Sequence, residues 1–333
     1  MDRATVSARP APAGAGFFAA SAAPGRRHLL GLEGVSRAQI LELLDAAALY
    51  RERLQSGGWQ SDALRGVAAC NAFFEDSTRT RISFELAEQR LGAMHVTFGV
   101  AGTSVSKGET LLDTLKTVNS MQVEIIIVRH RSAGVPHFLA QHLDASVVNA
   151  GDGAHEHPTQ GLLDLMTLRD AWDHRFEDRR IAIIGDIAHS RVARSAIFGL
   201  NAVGANVVVC GPRTLVPEEV ESLGCTHVPR IEDALADADA AMGLRIQRER
   251  MEDGLLPSMA EYTRNWGLTV ERVRLMKEEA VVIHPGPMNR GVEIMPDVAD
   301  GGRSVIFYQT ANGLAVRCAV LAWCATGDAR AAL

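Results

Sequence analysis

Apolar positions in this 333-residue chain fall into two alternating rhythms. Short continuous runs of branched and small apolar residues have the size of buried strands. Between them lie stretches in which apolar residues return every three or four positions, the period of a helix with one buried face. Ser36-Arg-Ala-Gln39 has the form of a capping box, and Ile40, Leu43, Leu44 and Ala47 follow at helical spacing. The pattern then predicts strand at Val67–Phe74, helix at Thr80–Leu91, strand at Met94–Val100, helix at Thr110–Ser120 and strand at Val123–Val128. A short helix at Pro136–His142, a short strand at Ser146–Asn149 and a Gly151-Asp-Gly153 turn lead into a long helix, Pro158–Trp172. The second half repeats the rhythm, with strands at Ile181–Gly185, Asn206–Cys210, Ala240–Leu244 and Val281–His284. Its helices are Arg191–Val203, Val216–Leu223, Ile231–Ala236 and Thr269–Met276. A last helix, Gly313–Trp323, has no strand after it and is expected to pack back on the first domain.

Strands buried on both faces and separated by helices imply parallel sheets. The expected fold class is therefore α/β, with two doubly wound parallel-sheet domains joined by the long helix. Residues 28–157, completed by 309–327, form the first domain in this reading, and 158–308 the second. Residues 1–27 show neither period and are rich in Ala, Pro and Gly. They read as a disordered extension rather than a transit peptide, because prolines interrupt any amphipathic helix.

Composition narrows the function. A hydrophobic share of 47% with 22% charged residues excludes disordered and collagen-like chains. No apolar run reaches the ~18 residues that span a bilayer. Lys+Arg total 34 against 40 Asp+Glu, which argues against a broad nucleic-acid surface but leaves room for a local basic pocket. The five cysteines are odd in number and lack C-x-x-C spacing, so reduced thiols in a cytoplasm are expected rather than disulfides or a Cys-rich zinc site.

In open parallel sheets ligands bind beyond the carboxyl ends of the strands, and most unusual polar clusters of the chain fall there. Ser77-Thr-Arg-Thr-Arg81 lies between a strand and a helix. Hydroxyls, free helix N–H groups and Arg79 together make a cradle for an oxyanion or phosphate. No G-x-x-x-x-G-K-[ST] occurs, which disfavours a nucleoside triphosphate, and Gly185-Asp-Ile-Ala-His-Ser190 is not the G-x-G-x-x-G of a dinucleotide oxidoreductase. His157 precedes Pro158, which holds it out of the α region so that it can face a cleft. Asp186, His189 and Ser190 have the residue types of a hydrolase triad but lack a nucleophile elbow. His155 and His157 share a loop with Asp152 and Glu156, without any standard metal-ligand spacing, so no metal is expected.

Phe73-Phe-Glu-Asp-Ser-Thr-Arg-Thr-Arg-Ile-Ser-Phe-Glu85 resembles the carbamoyl-phosphate signature of the aspartate and ornithine carbamoyltransferases, and the resemblance runs from about His28 to Trp323. It implies a carbamoyl-phosphate-binding first domain and an acceptor-binding second domain. Ser77, Thr78, Arg79 and Thr80 would hold the phosphate, with Thr80 also near the carbonyl oxygen and Arg81 paired structurally with a carboxylate. Arg129 would contact phosphate and carbonyl oxygen, His157 would donate to that oxygen, and Gln160 would receive the carbamoyl NH₂. Ser104, chosen over Ser106, and Lys107 would reach from a loop into the next subunit of a homotrimer, Lys107 toward the second substrate. Gly286 and Pro287 would shape the pocket through their backbone, with Arg290 and Glu293 positioning the loop. Arg191, Arg245 and Gln247 suit two carboxylates, since guanidinium groups bind carboxylate through paired donors. The turn His284-Pro-Gly-Pro287 lacks the Cys usual in the ornithine branch. The expected reaction is thus carbamoyl transfer to aspartate, with ornithine as the alternative acceptor and no cofactor. The resemblance leaves open a higher assembly with a regulatory chain or dihydroorotase, while a purely scaffolding subunit is disfavoured by the intact set of site residues.

Overall fold

The computed structural model describes residues 25–99, 109–246, 254–255 and 258–333. Two sheets organise it. The first has the order β2 (Met94–Gly99), β1 (Ala68–Phe73), β3 (Ile125–His130), β4 (Ser146–Asp152). The second runs β7 (Thr226–His227), β6 (Asn206–Cys210), β5 (Arg180–Ile184), β8 (Ala240–Gly243), β9 (Val281–Ile283). Every strand pair among the described residues is parallel. That follows from the sequence: β1 and β4 are buried at every position, which requires cover on both faces. β2 lies at an edge, and its Met94 and Val96 are exposed.

The helices used below are α1 (Arg37–Gln55), α2 (Thr78–Arg90), α5 (Pro158–Ala171) and α6 (Arg191–Val203), with α3 (Leu111–Ser120) and α4 (Val135–Ala140) between. The capping box forms: the Ser36 hydroxyl accepts from Gln39 N–H, and Gln39 Oε1 accepts from Ser36 N–H. The joining helix α5 is apolar on nearly all sides, with Leu162, Leu163, Leu165, Met166 and Leu168 buried. It packs on α1, α6, β4 and the C-terminal helix. One apolar core consequently runs from Ile125 and Ile127 of the first sheet to Ile181 and Ile183 of the second. The C-terminal helix, Ile306–Thr326, covers α1, α2 and α5 and so completes the first layer, as expected.

Several elements differ from the pattern-based expectation. The C-terminal helix begins seven residues before Gly313, because its first turns invert the usual pattern: Phe307 and Tyr308 are exposed while Gln309 and Asn312 are buried. The region 216–223 forms not a helix but short 3₁₀ turns, Arg213–Leu215 and Val220–Leu223, around Pro217, which has no N–H to donate. Of the helix expected at 269–276 only the turn Val270–Val273 is α-helical, capped by the Thr269 hydroxyl. The helix Met259–Trp266, N-capped by Ser258, was not anticipated. β4 continues to Asp152, through the glycine expected to open a turn. Calls on residues 1–24 lie outside the described residues. Arg27 lies against Gly327 at the end of the C-terminal helix, and His28 is buried, its Nδ1 accepting from Val147 N–H.

One buried carboxylate fixes where α5 begins. Glu156 accepts hydrogen bonds from Leu32 N–H at 2.7 Å, Glu33 N–H at 3.1 Å and the Ser195 hydroxyl of α6 at 2.8 Å. Ser195 Oγ in turn accepts from His157 N–H at 2.8 Å. The segment before α1, the start of α5 and α6 therefore meet on one side chain. Glu156→Gln would set an amide N–H against backbone donors. It should lower the unfolding free energy by about 1–3 kcal/mol, read as a reduced denaturant midpoint at unchanged slope; an unchanged midpoint would remove Glu156 from this role.

Candidate functional site

The carboxyl ends of the two sheets face a cleft of about 670 Å³. Its walls are the segments that follow β1, β3, β4, β5, β8 and β9, the positions at which a doubly wound sheet presents its loops. Arg79, Arg129, Arg131, Arg191, Arg245 and Arg317 line it, against the acidic Glu75, Asp76 and Asp186. A cationic cleft has thus been built into a chain of formal charge −6.

The first wall is the start of α2. Ser77 is the N-cap in extended conformation, but its hydroxyl makes no capping bond, so it is left to face the cleft with Thr78, Arg79 and Thr80. Free N–H groups and the helix dipole favour an anion there. Burial and the nearby Arg245 guanidinium both lower the Arg79 pKa. Gly286, from the loop after β9, sits directly on Arg79: a Cβ at this position would lie 3.2 Å from Arg79 Cζ, and its φ of +65° also demands glycine. The Gly286–Pro287 peptide is cis. Arg81 points away and pairs with Glu85 one turn on, at 3.7 Å.

Arg129 lies one residue from the end of β3 and donates to the Ala150 carbonyl at 3.2 Å. Burial pushes its pKa down to about 10, with Arg191 and Arg79 adding repulsion. Glu75 offsets that repulsion. Its Oε2 lies 3.3 Å from Arg129 Nε and accepts from Arg191 at 2.9 Å, so one carboxylate holds an arginine from each domain. Arg191 also donates to the Gly153 carbonyl, and passes so close to Gly151 that a Cβ there would meet Arg191 Nε at 2.9 Å.

His157 caps α5 with φ −138°, outside the helical region as its following proline requires. It is buried, and its Nδ1 has no partner among the described residues. Burial first, then Arg129, Arg191 and Arg317, hold its pKa far below the usual histidine range, so the imidazole is neutral. Gln160, one turn into α5, donates through Nε2 to Asp164 at 2.9 Å. Burial pushes Asp164 up to about 7, opposed by the amides of Gln309 and Gln160.

Ser77, Thr78, Arg79, Thr80, Arg129, His157, Gln160, Arg191, Arg245, Gly286 and Pro287 therefore line one cleft. Ser104, Lys107 and Gln247 lie outside the described residues. Glu75, Asp164 and Arg317 were missed. The signal for Arg317 was present, a lone charge inside the apolar helical run Gly313–Trp323. Asp186 accepts from, or pairs with, His189 Nδ1 at 2.8 Å, but the Ser190 hydroxyl caps α6 by accepting from Ala193 N–H, so this trio holds no poised nucleophile. Arg290 pairs with Asp300, and Glu293 accepts from Asn289 N–H beside the 284–287 loop. Chemically, the cleft offers a helix-terminal anion cradle, several guanidinium groups, the neutral imidazole of His157 and the primary amides of Gln160 and Gln309. Such a set can hold a phosphate beside a polarised carbonyl, with cationic capacity left for further carboxylates.

Two family models match the chain: the aspartate/ornithine carbamoyltransferase carbamoyl-P binding domain over residues 27–170, and the Asp/Orn binding domain over 177–324. The aspartate carbamoyltransferase catalytic subunit of Sorangium cellulosum is 52% identical over 303 residues, 91% of this chain and 94% of that protein. That of Myxococcus xanthus is 51% identical over 298 residues, 90% and 99% respectively. Among solved structures, aspartate transcarbamoylase from Trypanosoma cruzi in complex with N-(phosphonacetyl)-L-aspartic acid superposes with a TM-score of 0.80 at 30% identity, covering 89% of this chain and 94% of that one. Ornithine carbamoyltransferase from Pyrococcus furiosus gives 0.79 at 26% identity, covering 89% and 96%.

The neutral state of His157 has a measurable consequence. Unfolded, a histidine takes up a proton near pH 6.5; in the fold His157 does not until the pH is much lower. The unfolded chain binds the extra proton, so this contribution to stability is complete above about pH 6.5 and is lost as pH falls. Between pH 6.5 and 5, His157→Gln should flatten the dependence of unfolding free energy on pH by up to about 1.4 kcal/mol per pH unit. Denaturant titrations of both proteins across that range provide the comparison, and parallel curves would contradict it.

Proposed function

The chain belongs to the aspartate/ornithine carbamoyltransferase family, and on that premise we propose that its cleft transfers the carbamoyl group of carbamoyl phosphate to the α-amine of L-aspartate. The products are N-carbamoyl-L-aspartate and phosphate, the second step of de novo pyrimidine synthesis. The observation that carries aspartate over ornithine is the second-domain wall. Arg191 and Arg245 supply guanidinium groups where an ornithine site would need acceptors for a side-chain ammonium, and the turn is His284-Pro-Gly-Pro287. The relatives at about half identity carry the same name.

In this reading the phosphate sits on the N-terminus of α2, held by Ser77, Thr78, Arg79 and Thr80 and by Arg129. The carbamoyl oxygen meets donors from Thr80, Arg129 and neutral His157, and Gln160 accepts from the carbamoyl NH₂. Aspartate then binds through Arg191, Arg245, Gln247 and Lys107. Its neutral α-amine attacks the carbonyl carbon, and charge grows on the carbonyl oxygen, where preorganised donors stabilise it. The C–O bond to phosphate breaks as phosphate takes the proton released by the amine. A neutral imidazole suits this task, since it donates a hydrogen bond without adding a further cation to the arginine cluster. Closure of the two domains about α5 would exclude water.

The segment that carries Ser104 and Lys107 is read as serving a neighbouring subunit in a homotrimer. Supporting this, α2 exposes Ile82 and Leu86 beside edge strand β2 with its exposed Met94 and Val96, the two elements being tied by Thr97 to Glu85 at 3.1 Å. An apolar patch along an open sheet edge invites a partner. A cytoplasmic location is part of the reading, supported by five free, buried cysteines.

Purified protein supplied with carbamoyl phosphate should form N-carbamoyl-aspartate from aspartate and no citrulline from ornithine; the reverse would sink the assignment. Arg245→Ala should raise the aspartate KM about 10–100-fold, the worth of one or two charge-assisted hydrogen bonds, with carbamoyl-phosphate binding little changed. Sharing of sites is tested by mixing. Lys107→Ala and Arg79→Ala proteins should each be nearly inactive, yet an equal mixture after subunit exchange should hold about one intact site in four under cyclic symmetry. Absence of recovery despite proven exchange would place Lys107 in its own chain's site or outside it.

A further inference from the structure

The orientation of a primary amide decides what it recognises, since one end donates and the other accepts. At Gln160 that orientation can be traced back to a group that allows no choice. The His284 backbone N–H can only donate, and it donates to Gln309 Oε1 at 3.0 Å. Gln309 must then turn its NH₂ the other way, where it donates to Asp164 Oδ1 at 2.6 Å. That oxygen accepts there, and, as a carboxylate, it also accepts from the second group on it, Gln160 Nε2 at 2.9 Å. With its nitrogen end turned to Asp164, Gln160 carries Oε1 on the opposite end of the amide, the end left for the cleft it lines. Asp164 is buried, Gln309 is buried, and Asp164 Oδ2 has no partner among the described residues. A carboxyl group with an unused oxygen in an apolar helix is costly, and its stabilising contacts are these two amides. The same chain continues to the cleft loop, where His284 Nδ1 accepts from Gly286 N–H at 2.8 Å.

We propose that Asp164 is a positioning residue for substrate selectivity: by holding the Gln160 amide with its oxygen toward the cleft, it makes the site read the NH₂ of a carbamoyl group and reject an acyl phosphate bearing a methyl there. The inference rests on the carbamoyl-phosphate reading and deepens it. Asp164 does not touch the substrate in this account; Gln160 does. Acetyl phosphate is the fitting probe, because it keeps the phosphate and the carbonyl and replaces only the NH₂. A site built around a polar substrate group discriminates against the analogue lacking it because its own buried partner is left unpaired.

The experiment measures the affinity of the full-length protein for carbamoyl phosphate and for acetyl phosphate by calorimetry, alongside N-carbamoyl-aspartate formation. The proteins are wild type, Asp164→Leu, Asp164→Ala, Asp164→Asn and Gln160→Met, each checked by circular dichroism and gel filtration. Asp164→Leu and Asp164→Ala remove the acceptor, and should reduce the carbamoyl-to-acetyl affinity ratio at least tenfold while acetyl phosphate affinity moves less than about threefold. Asp164→Asn can present an oxygen at the same place, because Gln309 still demands one, and should keep the ratio within about threefold. Gln160→Met should give the low ratio with Asp164 intact. Equal loss for both ligands, or an unchanged ratio in a folded Leu or Ala variant, would overturn the inference and leave Asp164 a structural residue. Should neither of those variants fold, a ratio untouched by Gln160→Met, or a tenfold fall in Asp164→Asn, would overturn it equally, while their expected values would uphold it. A wild-type protein that neither binds carbamoyl phosphate nor forms product would overturn the functional reading itself, and the inference with it.

Discussion

Bringing several guanidinium groups into one partly buried cleft is the constraint around which the rest of this structure is arranged. Arg129 and Arg317 are buried deeply enough to be pushed down to about 10, and Arg79 is lowered as well. Like charges at this depth repel, and desolvation adds to the cost. Within the protein, Glu75 is the main answer, bridging Arg129 and Arg191 across the two domains. With Asp76 and Asp186, three carboxylates face six guanidinium groups in the cleft, which leaves an excess of positive charge. Anionic ligands would complete the balance.

Holding it open falls to α5. The helix carries the apolar contacts that join both sheets into one core, and polar devices sit at its first turns. Glu156, just before it, ties the pre-α1 segment to α6 through Leu32, Glu33 and Ser195. His157 is seated by its N–H on that same serine, and Gln160 by Asp164 one turn on. Any rotation of α5 would therefore move the imidazole and the amide together. The arrangement also explains why His157 can be neutral amid arginines: it is fixed through its backbone, and its ring need not be charged to stay in place.

The two-sheet architecture was legible because strands buried on both faces leave an unmistakable trace, continuous apolar runs such as Ile125–Val128, and helices with one dry face leave another. Where burial and polarity part company the trace fails. The opening turns of the C-terminal helix went unread because exposed Phe307 and Tyr308 and buried Gln309 and Asn312 invert the usual pattern. The cleft was readable to the extent that chemistry lies next to strand ends. Ser77–Thr80, His157, Arg191, Arg245 and Gly286 each follow a strand and Arg129 lies near the end of one, so their meeting could be anticipated from the rule that governs parallel sheets. A long and specific motif at Phe73–Glu85 then indicated the family.

What the sequence determined alone was the alternation of elements, the strand-end placement of the polar clusters and the family to which they belong. All of these are local properties, carried by residue types within a few positions of one another. Tertiary structure decided the pairings between distant positions. Glu75 meets Arg191 across 116 residues, Gln309 meets Asp164 across 145, and Gly286 packs on Arg79 across the cleft. No periodicity records such contacts. They arise because the C-terminal helix and the loop after β9 return to the first domain, and because a buried carboxyl or guanidinium must find its partner wherever the folded chain supplies one.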